Sequence, residues 1–144
     1  QGFRTNADAA RQIREALAPH GITVMTAELP YYTGPDACLH LLSVISIVDS
    51  GVAVVYRPLL PVPLYLELER RGMRLVDVPD DEFLTQGPNV LATAPGECIM
   101  LERNPVTRQR LIDAGCEVTT YTGNELSFKA EGGATCLTRP ILRG

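Results

Sequence analysis

The sequence has no run of Lys or Arg longer than two, and its formal net charge is −4 over 144 residues. A nucleic-acid-binding surface is built from clustered basic residues, so no such partner is expected. Long apolar runs are missing too. The longest largely apolar stretch, Leu39 to Val48, is interrupted by Ser43 and Ser46. A membrane helix needs about 20 apolar residues, so no spanning segment is predicted. None of the four cysteines, Cys38, Cys98, Cys116 and Cys136, forms a CxxC pair, which removes the zinc-finger reading. Cys38-x-His40 offers two ligands, too few for a metal site, and no metal is predicted. No signal-peptide pattern or targeting tail is present. The chain opens on Gln1-Gly2-Phe3-Arg4 rather than on Met. We expect a fragment or a processed chain, with part of any site lying elsewhere, and a cytoplasmic setting with reduced thiols.

What is present is an ordinary globular composition, 45% apolar and 21% charged, of a size that suits one domain. Three segments share one grammar. An amphipathic helix from Ala7 to Pro19, capped by Asn6, closes at Gly21 and leads into Ile22-Thr23-Val24-Met25. A helix near Pro63 to Arg71 closes at Gly72 and leads into Arg74 to Val78. The third has Asn104 as N-cap, Pro105 at its first position and an apolar face of Val106, Leu111 and Ile112. It closes at Gly115 and leads into Glu117 to Tyr121. Each Gly stands where a helix end needs a left-handed turn. Between these units lie strand pairs. Leu39 to Val48 and Val52 to Tyr56 flank Asp49-Ser50-Gly51, and Asn89 to Ala94 and Glu97 to Leu101 flank Pro95-Gly96. The predicted unit is strand, strand, helix, strand, repeating about every 45 residues.

Counting from each helix-closing Gly, His40 lies 19 residues after Gly21, Asn89 17 after Gly72, and Cys136 21 after Gly115. The three residues therefore open successive repeats at matching strand positions. Repeats arranged around an axis would bring them together. The alternative, that repeat starts are merely alike in structure, stays open on this count alone.

Cys136 follows Gly132-Gly133-Ala134-Thr135. The two glycines permit close backbone approach, and their amides are candidates to face a substrate. A thiol becomes a nucleophile where its thiolate is stabilised. Arg139 would point to the opposite face of a strand from Cys136, so it reads as structural. His40 sits among apolar residues in Leu39-His40-Leu41. An imidazole there is either a core residue or a proton carrier for neutral pH. Asp36 either orients His40 or belongs to a turn. Cys98 and Cys116, in strand-like runs, read as small buried hydrophobes. His20 reads as a helix-end residue and Asp80-Asp81-Glu82 as a solvated loop.

The segment Gly132-Gly133-Ala134-Thr135-Cys136-Leu137-Thr138-Arg139-Pro140 resembles the C-terminal nucleophile motif of the guanidino-group-modifying enzymes. That superfamily includes dimethylarginine dimethylaminohydrolase, arginine deiminase and the amidinotransferases. Leu39-His40-Leu41 resembles the segment carrying their catalytic His. Asn89-Val90-Leu91-Ala92, Pro95-Gly96 and Arg103-Asn104-Pro105 are similar as well. Arg4-Thr5-Asn6 resembles a segment that binds the substrate carboxylate in the dimethylargininase branch.

The resemblance implies an α/β fold, a five-bladed α/β propeller (pentein) of strand-strand-helix-strand modules. Residues 1–144 would be the C-terminal part of one catalytic domain and supply about three of the five modules. It implies Cys136 as nucleophile and His40 as acid/base, with Arg4, Gly133 and Asn89 binding a small guanidino substrate, and no cofactor. The family's guanidinium-gripping carboxylates lie mostly earlier in the chain and are not found here. An N-terminal half, as a missing segment or a separate chain, is therefore an expected partner, and a homodimer is the other assembly kept open. Leu42 stands where arginine deiminases and amidinotransferases usually have Asp, which points toward the dimethylargininase branch. The alternatives are arginine deimination, amidino transfer or a non-catalytic propeller. A papain-like arrangement is disfavoured because its Cys usually precedes its His in the chain.

Overall fold

The computed structural model describes residues 1–37 and 39–142. Cys38, one half of the Cys38-x-His40 pair, lies outside the described residues. The elements are α1 (Ala7–Leu17), β1 (Ile45–Asp49), β2 (Val52–Val55), α2 (Val62–Arg70), β3 (Arg74–Asp77), α3 (Asp80–Phe83), β4 (Leu91–Ala94), β5 (Glu97–Leu101), α4 (Pro105–Asp113) and β6 (Glu117–Tyr121). Two three-stranded sheets result, in the orders β1-β2-β3 and β4-β5-β6. In each, the first pair is an antiparallel hairpin and the third strand returns parallel after a helix. A parallel pair requires such a crossover, because a tight turn can only reverse the chain.

Both hairpin turns stand where the sequence predicted them, and Gly21, Gly72 and Gly115 all have left-handed backbones, with φ of 67°, 68° and 97°. α1 has the predicted cap, Asn6 accepting from the Ala9 amide at 3.0 Å.

Several expectations are corrected. Residues 22–30 form no strand, so the first unit has a helix without its partner strand. The predicted strand from Leu39 begins only at Ile45, after a single 3-10 turn over Leu41–Ser43. The segment around Cys136 is a series of turns rather than a strand. Hence His40, Asn89 and Cys136 occupy loops, and the opposite-face argument about Arg139 no longer applies. The core face of α4 is Thr107 and Leu111, both fully buried, while Val106 and Ile112 are exposed. Thr107 enters the core because its hydroxyl has a buried partner. Glu82, expected in solvent, is that partner and is itself buried. It accepts from the amides of Val106 and Thr107 at 2.7 and 2.8 Å and from the Thr107 hydroxyl at 2.6 Å. A carboxylate at a helix N-terminus satisfies amides that have no partner within the helix. Asn104, at the cap position, makes no capping bond there. Its side chain instead ties Thr85 to the Leu101 carbonyl.

The main core joins the two sheets. Val48, Val54 and Val76 of the first pack with Cys98 and Met100 of the second, together with Val90 and Leu111. Ser46 fastens the junction: its buried hydroxyl donates to the Pro88 carbonyl at 2.7 Å and accepts from the Val90 amide at 3.2 Å. These bonds fix the residue between them, Asn89. A second cluster lies under α2, built from Val44, Ile45, Leu64 and Leu68, and residues 27–39 lay Ala27, Leu29 and Leu39 against it. Among the described residues, no helix is long and apolar enough to cross a membrane.

Candidate functional site

Cys136 is exposed, in a loop that follows β6. The loop is shaped by one buried side chain from elsewhere. Asn89, 5% exposed, accepts from the Thr135 amide at 2.9 Å and from its hydroxyl at 2.8 Å, both through Oδ1. Its Nδ2 donates to Cys136 Sγ at 3.0 Å. The direction of the amide is fixed by chemistry. A backbone N–H can only donate, so the atom it meets must be the oxygen, which leaves the nitrogen for sulfur. An N–H directed at sulfur favours the thiolate, the nucleophilic form.

Gly133 is required by the same contact. A Cβ placed there would stand 2.4 Å from Asn89 Cγ and 2.5 Å from Oδ1. Its backbone φ is not in the left-handed region; the constraint is space. The loop is closed by the Leu137 amide on the Gly133 carbonyl at 3.1 Å and the Thr138 hydroxyl on the Ala134 carbonyl at 2.6 Å.

Cys136, Asn89, Gly133 and His40 all line one open cavity of about 690 Å³. His40 is exposed with an extended backbone, and its amide donates to Ser43 Oγ at 3.0 Å at the start of the 3-10 turn. Asp36 and Glu131 line the same cavity, with the rings of Tyr32, Phe83 and Phe128. The ionised side chains that these described residues present are therefore carboxylates, and the wall suits a cationic ligand with an apolar stem. Phe83 is held between Tyr56, stacked at 4.1 Å, and Tyr32, edge-on at 5.9 Å. Arg4 lines a neighbouring cavity of about 290 Å³ that shares His40 and Leu39 with the first. Of the residues singled out in the sequence, four are brought together and Arg4 stands next door.

One feature was invisible in the sequence. Among the described residues, the non-glycine residues with left-handed backbone are Tyr32, Gln86 and Glu131, with φ of 52°, 66° and 54°. All three line this cavity. Such a conformation costs roughly 1–2 kcal/mol for a residue with a side chain, and it concentrates where function dictates geometry. No motif announces it, because none of the three is Gly, Asn or Asp.

The other described thiols have the opposite environment. Cys98 and Cys116 are buried in the core beside each other, and burial pushes the Cys98 thiol up to about 12. The reading of these two as small hydrophobes is correct. Among the described residues no group of three or more His, Cys, Asp or Glu is placed to hold a metal.

Comparison with known proteins bears on the same residues. The family model described as arginine deiminase matches residues 62–143, more than half of the chain and including Asn89 and Cys136. The chain belongs to the arginine deiminase family. Within 66 residues it is 44% identical to the arginine deiminase of Mycobacterium tuberculosis, a stretch that is 46% of this chain and 16% of that protein. It is 29% identical over 141 residues to the Bacillus subtilis protein YkgA, covering 98% of this chain and 46% of that one. The chain thus spans about half the length of the latter relative. Two solved structures have its fold. An amidinotransferase of saxitoxin biosynthesis from Microseira wollei superposes with a TM-score of 0.78 at 19% identity, over 96% of this chain and 42% of that one. Dimethylarginine dimethylaminohydrolase from Pseudomonas aeruginosa, with citrulline, gives 0.71 at 21%, over 92% and 46%. This family member therefore has the α/β fold of the guanidino-modifying enzymes, and its two described sheets make up part of the larger structures.

Proposed function

We propose that this chain carries the nucleophile and the acid/base of a hydrolase acting on the guanidino group of arginine or a methylated arginine, giving citrulline and an amine. The observation that supports it most is the Asn89 amide held on Cys136 Sγ at 3.0 Å in a cavity that His40 also lines. In this reading the Cys136 thiolate adds to the guanidinium carbon. The C–N bond of the tetrahedral adduct breaks as His40 gives its proton to the departing amine. A thiouronium intermediate remains on sulfur. His40 then takes a proton from water, the resulting hydroxide adds to the same carbon, and C–S cleavage releases citrulline and the thiolate. The substrate's positive charge adds to what the Asn89 amide does for the thiolate. Gly133 lets the loop approach the substrate closely, and Arg4 is the candidate for its carboxylate. No metal or organic cofactor enters these steps.

The finer reading is dimethylargininase-like, because Leu42 stands two residues after His40 where an Asp is usual in the deiminase branch. Arginine deimination is the second reading, favoured by the family model and by the 44% identity to the Mycobacterium enzyme. In either case we regard the chain as about three of five modules of a propeller, the C-terminal part of one catalytic domain. The remaining guanidinium-binding groups would come from an N-terminal half, in the same or a separate chain, or from a second copy. Unpaired thiols at Cys98, Cys116 and Cys136 favour a cytoplasmic setting.

The test is turnover by the protein made from its complete coding sequence. Citrulline with methylamine or dimethylamine from methylated arginines supports the first reading. Citrulline with ammonia from arginine alone supports the second. Transfer of the amidino group to an added amine would move the assignment to an amidinotransferase, and no reaction with any of them would reject the proposal.

A further inference from the structure

The cavity wall holds a polar group with no partner. Among the described residues, the side-chain oxygen Oε1 of Gln86 is buried without a hydrogen-bond donor. The other polar groups of the residue that bear on the site are in use. Its main-chain carbonyl accepts from the Asn89 amide at 2.9 Å. Its Nε2 approaches the Ser127 carbonyl at 3.5 Å, and that carbonyl also accepts from the Gly132 amide at 3.1 Å. Gln86 therefore ties the turn that holds Asn89 to the loop that carries Cys136. The orientation of its amide follows. A carbonyl can only accept, so nitrogen faces Ser127 and the oxygen is turned elsewhere.

Two unfavourable features meet at this residue. A buried acceptor lacks a donor, and the backbone is left-handed at φ 66° without glycine's freedom. Either alone is uncommon in a native protein, and both together on a cavity wall call for a compensating use. A guanidinium or an ammonium consists of donors only. It is the complement of an acceptor that the protein leaves unpaired.

We infer that Gln86 is a specificity-determining residue whose Oε1 accepts a hydrogen bond from an N–H of the bound cationic substrate. The inference rests on the guanidino reading above and adds a contact to it. It also explains why the residue keeps an awkward backbone. The turn aims one amide at both jobs, nitrogen toward the nucleophile loop and oxygen toward the ligand. A Gln86 that served only as a strut would leave ligand affinity untouched apart from damage to the loop.

The experiment is protection of Cys136 from iodoacetamide by arginine or by N-methylated arginine, followed by mass spectrometry on the protein from its complete coding sequence. In Gln86→Met, the ligand concentration for half-protection should rise about tenfold or more, the loss expected for a hydrogen bond to a charged group. The unprotected alkylation rate should move by less than about threefold. Gln86→Glu keeps an acceptor and adds negative charge, so it should protect at the same or a lower concentration, and it serves if the Met variant does not fold. Unchanged half-protection in Gln86→Met, or weakened protection in Gln86→Glu, overturns this inference alone. Parallel loss of protection and of unprotected rate identifies a strut and overturns it too. Absence of protection in the unmodified protein rejects the guanidino reading, and this inference with it.

Discussion

Cys98 and Cys136 are the same residue in opposite settings. Cys98 lies on β5 in the joint core, 3% exposed, touching another buried thiol, and burial drives its pKa to about 12. Cys136 lies on an irregular loop at a cavity mouth, with an amide N–H on its sulfur. One is a small hydrophobe that stabilises the sheet pair; the other is placed for chemistry. The difference is made by the neighbours that each fold region supplies. A regular strand delivers side chains into a dry core, whereas a loop held by a buried Asn delivers one to the cavity.

The largest test of that contrast is removal of the exposed thiol. Cys136→Ser should lower turnover by more than about 10³-fold with an unchanged melting temperature, since a hydroxyl is a poor substitute for a thiolate. His40→Asn should follow, with a loss of roughly 10²–10⁴-fold and a flattened pH–rate profile. A smaller effect is expected from Gly133→Ala. The added methyl must displace Asn89, an overpacking of about 1–3 kcal/mol, and iodoacetamide should then modify Cys136 more slowly. Glu82→Ala should leave Cys136 reactivity nearly intact and lower unfolding stability by about 1–2 kcal/mol, because α4 loses its cap.

The smallest effect concerns the buried member of the pair. Cys98 has a folded-state pKa raised above its unfolded value. Between about pH 9 and 12 the unfolded chain releases a proton that the folded chain keeps. Stability present below that window is therefore lost as pH rises through it. Cys98→Ala should flatten this alkaline slope in urea titrations, and an unchanged slope would contradict the burial account.

The same contrast explains what was legible in the sequence. Turn residues, helix-closing glycines and alternating apolar runs are local signals, and they located both hairpins, α2, α4 and the two return strands. The residues that open successive repeats also met at one cavity, so counting along the chain found the pair that a single motif would have left doubtful. Tertiary contacts were out of reach. Nothing near Glu82 in sequence says that it caps a helix beginning at Pro105, and Thr107 looked like a surface residue because its partner is 25 positions away. Ile22 to Met25 has strand composition, yet no described strand pairs with it, and a strand without a ladder does not form. Asn89 was picked as a substrate ligand by its place in the repeat. Its grip on Thr135 and Cys136 depends on the Ser46 bonds that hold Pro88 and Val90, a link that only coordinates display.

The central claim is that one thiol of the chain is chemically distinct and faces a guanidinium-sized cation. Incubation with chloroacetamidine, beside its neutral amide analogue, and peptide mapping by mass spectrometry tests this directly. The account predicts a single adduct on Cys136, formed faster by the cationic reagent, with Cys98 and Cys116 unmodified in the folded protein. Labelling at Cys38, Cys98 or Cys116 in place of Cys136 would contradict it.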